Sequence, residues 1–154
     1  FTPTVANIRP TSRGEITISS SDTKVNPKIK MNYLSTDEDR KVAADGIKLI
    51  RKIVMETNEF KKYEPEEFRP GSHLNDKEEI VKACSHYAQT IFHPVGTCKM
   101  GNDDSAVVSD KLKVHGLNKL RVIDASIMPN ITSGNTNAPT IMIAEKGADM
   151  ILNP

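Results

Sequence analysis

Apolar and polar residues alternate twice near the start of the chain. Glu15-Ile16-Thr17-Ile18-Ser19 alternates polar and apolar, and Lys28-Ile29-Lys30-Met31-Asn32-Tyr33 places Ile29, Met31 and Tyr33 on one face. A period of two residues is the signature of a half-buried strand, because successive side chains leave a strand on opposite sides. Val5-Ala6-Asn7-Ile8-Arg9 reads as a further extended segment, ended by Pro10, which cannot continue a central strand. Ser12-Arg13-Gly14 supplies a turn, with Gly14 free to take positive φ. Residues 5–9 and 15–19 are therefore expected to form a hairpin, and the three segments together an antiparallel sheet.

The period then changes. Val42, Gly46, Leu49, Ile50 and Ile53 recur at helical spacing. Ser35 or Thr36 is a candidate cap, and Asp37, Glu38 and Asp39 suit the positive end of a helix dipole. This helix is expected to pack its apolar stripe on the sheet. Residues 63–74 are rich in proline, glycine and charge and read as a surface loop. Asn75 is the expected cap of a second helix whose inner face carries Ile80, Ala83, Cys84 and Tyr87. In the last third, residues 119–124 (Lys-Leu-Arg-Val-Ile-Asp) read as a strand ending at Asp124. Residues 129–137 form a loop of mainly small and polar residues. A helix over 138–152 follows, with Asn137 as cap and Pro139 in the tolerated first turn.

Composition narrows the function classes. Lys and Arg number 21 against 20 Asp and Glu, so a net charge of +1 gives no electrostatic reason to expect a nucleic acid partner. Apolar runs such as residues 141–144 are far too short for a membrane span. The chain opens on Phe1 without Met or a signal-peptide pattern, and is read as a piece of a longer protein. Two cysteines, Cys84 and Cys98, are either a single bridge or two small buried hydrophobes. His73, His86 and His115 have no metal-ligand spacing with cysteines or acids, and no metal site is expected. No GxGxxG occurs, so the chain brings no phosphate loop of its own.

Two stretches could carry chemistry. The first is His93-Pro94-Val95-Gly96-Thr97-Cys98-Lys99-Met100-Gly101. A residue before proline is biased toward an extended backbone, and two glycines allow close turns, so this loop can present an imidazole rigidly. Imidazole is suited to accept a proton from an alcohol near neutral pH, although a lone loop histidine can equally be structural. The second is Ser133-Gly134-Asn135-Thr136-Asn137-Ala138-Pro139-Thr140, with two asparagines just before a helix N-terminus. Such a terminus offers unpaired N–H groups and partial positive charge, which stabilise an anion such as the N1–C2=O edge of a reduced flavin. Simple helix capping by Asn137 is compatible with that role.

Residues 93–101, 120–129 and 134–149, in that order and spacing, resemble the C-terminal signature of the glucose–methanol–choline (GMC) oxidoreductase family. Arg9-Pro10-Thr11-Ser12-Arg13-Gly14 resembles the opening of its substrate-domain strand, so the resemblance covers nearly the whole chain. It is nearest to the glucose-dehydrogenase-like and choline-dehydrogenase-like branches. The resemblance implies an α+β fold: an antiparallel sheet backed by helices over residues 1 to about 105, the substrate-binding portion. Residues 106–154 would supply a C-terminal strand and helix that complete the FAD-binding domain. It implies oxidation of an alcohol CH–OH group by hydride transfer to FAD with His93 as base. Asn135 matches the position of the family's second histidine or asparagine and, being an amide, would orient substrate rather than take its proton. Asp124 and Ala125 match the segment approaching the FAD pyrophosphate and ribityl chain, and Asn137, Pro139 and Thr140 the segment beside the isoalloxazine. The implied partners are a small-molecule alcohol and an electron acceptor: a quinone, another acceptor or O₂. Two alternatives stay open, a non-catalytic binding module that keeps the fold and a flavin-containing lyase built on it.

Overall fold

The computed structural model describes residues 1–153. Its elements are strands β1 (Glu15–Thr17) and β2 (Lys28–Lys30), then helices α1 (Asp37–Glu56), α2 (Asn58–Lys61), α3 (Lys77–Tyr87) and α4 (Asn137–Leu152). A 3-10 turn over Ala125–Ile127 lies between α3 and α4. The chain forms two compact units, one of residues 1–14 and 29–91, the other of residues 15–28 and 92–154. Among the described residues no helix is long and apolar enough to cross a membrane.

The sheet is smaller than the alternation suggested and pairs different partners. It is a two-stranded antiparallel sheet of β1 with β2. Residues 5–9 form no strand, because the neighbouring backbone is committed elsewhere. Thr11 N–H donates to Asp39 Oδ1 at 2.9 Å and Ser12 N–H to Asp39 Oδ2 at 2.8 Å, while Asn7 Nδ2 donates to the same carboxylate at 3.0 Å. The strands are also exposed rather than half-buried: Ile16 is 50% and Ile29 61% exposed.

In the first unit α1 begins at the N-cap Thr36, whose hydroxyl accepts from Asp39 N–H. Of the expected stripe, Val42, Gly46 and Ile50 are half-buried while Leu49 and Ile53 stand 56% and 45% exposed; Arg40, Ala44, Ile47, Arg51 and Val54 widen the inward side. The helix packs on α3 and α2 rather than on the sheet, which draws this wider face inward. Ala44 and Ile80 are fully buried there, with Ala83 beside them. Gly46 is needed because a side chain at that position would run into Val5. Helix α3 is capped by Asp76, not Asn75, since the Asp76 carboxylate accepts from Glu78 N–H and Glu79 N–H. Tyr87, expected inside, is 52% exposed.

Asp39 and the Arg51–Glu67 pair hold this unit where buried apolar side chains are few. Asp39 is 4% exposed. Burial alone pushes its carboxyl up, and hydrogen bonds from Ser12 and Thr11 more than reverse this, leaving its pKa below the ordinary value. Arg51 makes a forked pair with Glu67, with Nε to Oε2 and Nη2 to Oε1 both at 2.9 Å. The same guanidinium donates to Leu74 O at 2.7 Å and Gly71 O at 3.0 Å, so one side chain closes the 67–74 loop. A planar fork with five donors can do this, and an ammonium cannot.

The second unit has its core at Val108, Leu112, Ile127, Met128 and Ile143. Helix α4 contributes Ile143, Gly147 and Met150, spaced as one helical face. A Cβ at Gly147 would sit 2.5 Å from Ile123 Cγ2, so this glycine sets the approach of α4 to residues 121–123. Residues 119–124 form no strand. Lys119 takes a left-handed φ of 60°, and the bonds of this segment run singly, Val114 N–H to Leu120 O at 3.0 Å and Val122 N–H to Leu112 O at 3.2 Å. An interrupted pairing of this kind gives isolated bridges, such as Lys113 with Arg121, in place of a ladder. Arg121 also donates to Lys111 O and Met150 O. Helix α4 starts at Asn137 with Thr136, not Asn137, in the N-cap position. Cys84 and Cys98 are free and half-buried, and burial pushes the Cys84 thiol up, away from nucleophilic character.

Two stability outcomes follow. Arg51→Ala leaves Glu67 and the carbonyls of Gly71 and Leu74 without their donor and is expected to cost about 2–4 kcal/mol, somewhat below a fully buried pair because both partners keep some exposure. Denaturant titration of the variant against the parent measures it. The lowered Asp39 pKa means the folded state binds fewer protons there than the unfolded state does. Its stabilisation is complete above the ordinary carboxyl value of 3.8 and is lost as pH falls through the lower folded value. Denaturation midpoints across acid pH should fall less steeply in Asp39→Asn than in the parent.

Candidate active site

The histidine loop is held by backbone bonds on two sides. Cys98 N–H donates to Ser126 O at 3.0 Å and Met100 N–H to Ile127 O at 2.8 Å. On the other side Val107 N–H donates to Lys99 O at 2.9 Å and Gly101 N–H to Val108 O at 3.0 Å. Residues 98–101 are thus fixed between residues 126–127 and 107–108. Gly96 takes φ +90° and brings its backbone against Met128, with a built Cβ 3.4 Å from Met128 O. Phe92, next to His93, has φ 64°, and Ser133, two residues before Asn135, has φ 60°. Left-handed backbone at a bulky aromatic is strained, and here both outliers flank the two stretches that carry the candidate chemistry.

His93 is half-buried, and its Nδ1 lies 2.9 Å from Thr136 Oγ1, a residue 43 positions away. The Thr136 backbone N–H also points at Nδ1, at 3.4 Å. Thr136 is 7% exposed. It occupies the N-cap of α4, yet its side chain makes no capping bond, and its backbone is in the right-handed helical region instead of the extended one usual for a cap. Local capping by threonine is worth about 1 kcal/mol, and this hydroxyl is directed to the imidazole instead. Within the helix, the Thr140 N–H and hydroxyl both donate to Thr136 O, at 3.0 and 2.6 Å.

The other singled-out residues take these positions. Asn135 and Asn137 flank Thr136 and are exposed, while Pro139 and Thr140 are half-buried in the first turn of α4. His93 is therefore brought to the segment carrying Asn135, Asn137, Pro139 and Thr140. Asp124 is exposed and accepts from Ser126 N–H at 2.7 Å, which closes the 3-10 turn, and Ala125 packs against the core of this unit. That turn is the one whose carbonyls receive Cys98 and Met100. His115 is exposed, and its Nε2 donates to Gly101 O at 3.0 Å. Asp103 is held at about 2 by the Ser105 hydroxyl and then by Lys99, which clamps the end of the histidine loop. The sequence reading missed Thr136. Its signal was present, a threonine directly before the helix, but capping was assigned one residue later.

Residues 10–144 match the GMC oxidoreductase model. The chain belongs to the GMC oxidoreductase family. It is 44% identical over 151 residues to the oxygen-dependent choline dehydrogenase of Pseudomonas fluorescens, covering 98% of this chain and 26% of that protein. It is 45% identical over 152 residues to the alcohol dehydrogenase [acceptor] of Pseudomonas putida, covering 99% of this chain and 27% of that protein. Among solved structures, pyridoxine 4-oxidase from Mesorbium loti superposes with a TM-score of 0.88 at 35% identity, covering 96% of this chain and 28% of that one. A formate oxidase of Aspergillus oryzae RIB40, in which FAD modification was studied, gives 0.85 at 35% identity over 94% of this chain and 25% of that one. The chain thus spans about a quarter of the length of the relatives it matches. GMC oxidoreductases are FAD-dependent.

The residues present fit one edge of a flavin. The first-turn amides of α4 receive no cap from the Thr136 side chain, Pro139 has no N–H to offer, and the exposed amides of Asn135 and Asn137 add neutral donors beside them. A set of donors with no carboxylate in the first turn suits an electron-rich ring edge.

Gly96→Ala should destabilise the protein by about 1–2 kcal/mol, because a φ of +90° is unfavourable for an L side chain. Thermal unfolding with Gly96→Ala beside the parent measures this.

Proposed function

We propose that this chain is the part of a flavin-dependent alcohol oxidoreductase that handles the substrate hydroxyl. The observation that carries the reading is the approach of His93 to Thr136, which brings a half-buried imidazole to the start of α4 beside Asn135. Names of the related proteins include choline and alcohol dehydrogenases and pyridoxine and formate oxidases, which supports alcohol-type oxidation without selecting one substrate.

In this reading His93 takes the hydroxyl proton of the alcohol. Asn135 orients the hydroxyl by hydrogen bonds and cannot compete as a base. Asn137, Pro139, Thr140 and the free amides of α4 stand beside the isoalloxazine, while Asp124 and Ala125 approach the pyrophosphate side. FAD, when bound, supplies the hydride acceptor. Residues 1 to about 105 serve as the substrate-binding portion, and residues 106–154 complete the FAD-binding domain. The electron acceptor is a quinone, another acceptor or O₂.

The test is anaerobic mixing of the full-length flavoprotein with a panel of alcohols, following loss of the flavin absorbance. Reduction by at least one alcohol is expected. His93→Ala should slow it by roughly 10²–10⁴-fold, the usual contribution of a positioned base. Asn135→Ala should also slow it, with FAD content unchanged. Parent-like reduction in His93→Ala would remove the base assignment.

A further inference from the structure

Phe92 stands directly before His93 and is 80% exposed. Its backbone takes a φ of 64°, in the left-handed region that bulky side chains avoid. Two unfavourable features therefore meet in one residue: a strained backbone and a large apolar ring facing solvent. Asparagine or glycine at this position would remove both. Strain of this kind collects where a side chain is presented to a ligand. Here it lies next to the candidate base. The imidazole of His93 is held at Thr136, and the loop beyond it is tied down at Cys98 and Met100. The Phe92 ring thus rises from a loop whose next residue is fixed. Asn135, which adjoins Thr136, is exposed in the same unit.

We infer that Phe92 determines substrate specificity: its ring forms one wall of the alcohol site and packs on an uncharged apolar group near the carbinol carbon, an aromatic ring above all. The inference rests on the alcohol-oxidation reading and adds to it the class of alcohol. A hydroxyl bound by His93 and Asn135 leaves the rest of the substrate beside the histidine loop, where Phe92 is the large exposed apolar group. Stacking there removes apolar area of both partners from water, and paired aromatic rings gain further from their offset or edge-to-face geometry. The surroundings favour an uncharged group. Asn135, Asn137, Pro139 and Thr140 carry no charge, and the first turn of α4 holds no acid. A cationic head would meet the face of the ring but no carboxylate in that turn.

The experiment compares Phe92→Asn and Phe92→Tyr with the parent in the full-length, FAD-loaded protein. Asparagine suits left-handed backbone and removes the ring, while tyrosine keeps the ring. Binding of two unreactive amides, benzamide and acetamide, is read from perturbation of the flavin spectrum. The parent is expected to bind benzamide at least about 10-fold more tightly than acetamide, and Phe92→Asn to bring the two within about 3-fold by weakening benzamide. Phe92→Tyr is expected to retain the preference. Flavin reduction by benzyl alcohol and by ethanol should show the same split, in KM more than in kcat, with FAD content and pH profile unchanged. Thermal unfolding separates this role from packing: Phe92→Asn should unfold no lower than the parent, because it relieves strain at an exposed position. A Phe92→Asn protein that unfolds lower and binds both amides equally weakened overturns the proposal, since the ring would then be packed within the full-length protein. So does a parent without preference for benzamide, or one in which tetramethylammonium depends on Phe92 more than benzamide does. If no alcohol reduces the parent flavin while benzamide binding still depends on Phe92, the oxidation reading fails and the aromatic site stands.

Discussion

Buried backbone groups must find partners, and in residues 98–101 that requirement is met from two directions at once. The amides of Cys98 and Met100 reach the carbonyls of Ser126 and Ile127, while Lys99 O and Gly101 N–H engage Val107 and Val108. This double pairing fixes the loop that begins at His93, and it does so with backbone, which mutation changes little. The same segments carry the core residues Val108, Ile127 and Met128, so the apolar interior and the histidine loop are one construction. Helix α4 closes on that interior through Ile143 and Gly147, and its N-terminus meets the ring.

The other unit solves a different problem. Six of the seven aromatic residues lie in it, but Phe1, Tyr33, Tyr63, Phe68 and Tyr87 are exposed, so few large side chains there bury apolar area. Ala44 and Ile80 form a small contact between α1 and α3. Polar groups do the rest: Asp39 collects amides from residues 11 and 12, and Arg51 with Glu67 collects the 67–74 loop. Both depend on satisfied geometry. A charge in such a place stabilises only while every partner is present, because the desolvation it carries is not refunded by a partial set.

The candidate active site combines an imidazole that can exchange a proton with neutral donors at a helix start. Membership of a FAD-dependent family gives that pairing its context. In the proposed function the chain's own residues serve the proton route and one edge of the flavin. The glycine-rich dinucleotide motif is not in this sequence, and the relatives are about four times longer.

The sequence alone determined three of the helices, the family and the chemical residue types; the short α2 was not read from it. The 3.6-residue period and acidic first turn mark α1, and the HPVGTCKMG and SGNTNAPT stretches carry the family signature in residues whose chemistry is intrinsic. Only the tertiary structure decided which face of α1 turns inward, because Arg51 is polar by sequence and becomes interior only when Glu67 and two carbonyls converge on it. Strand pairing was likewise hidden: alternation at residues 15–19 and 28–33 gives a period but not a partner, and the claim of Asp39 on residues 11 and 12 lies far along the chain. Thr136 is the sharpest case. Local rules make it a cap, and a contact 43 residues distant makes it the partner of His93. No local pattern encodes that choice, since a hydroxyl has the same chemistry toward an amide of its own helix as toward a distant ring, and packing alone selects between them.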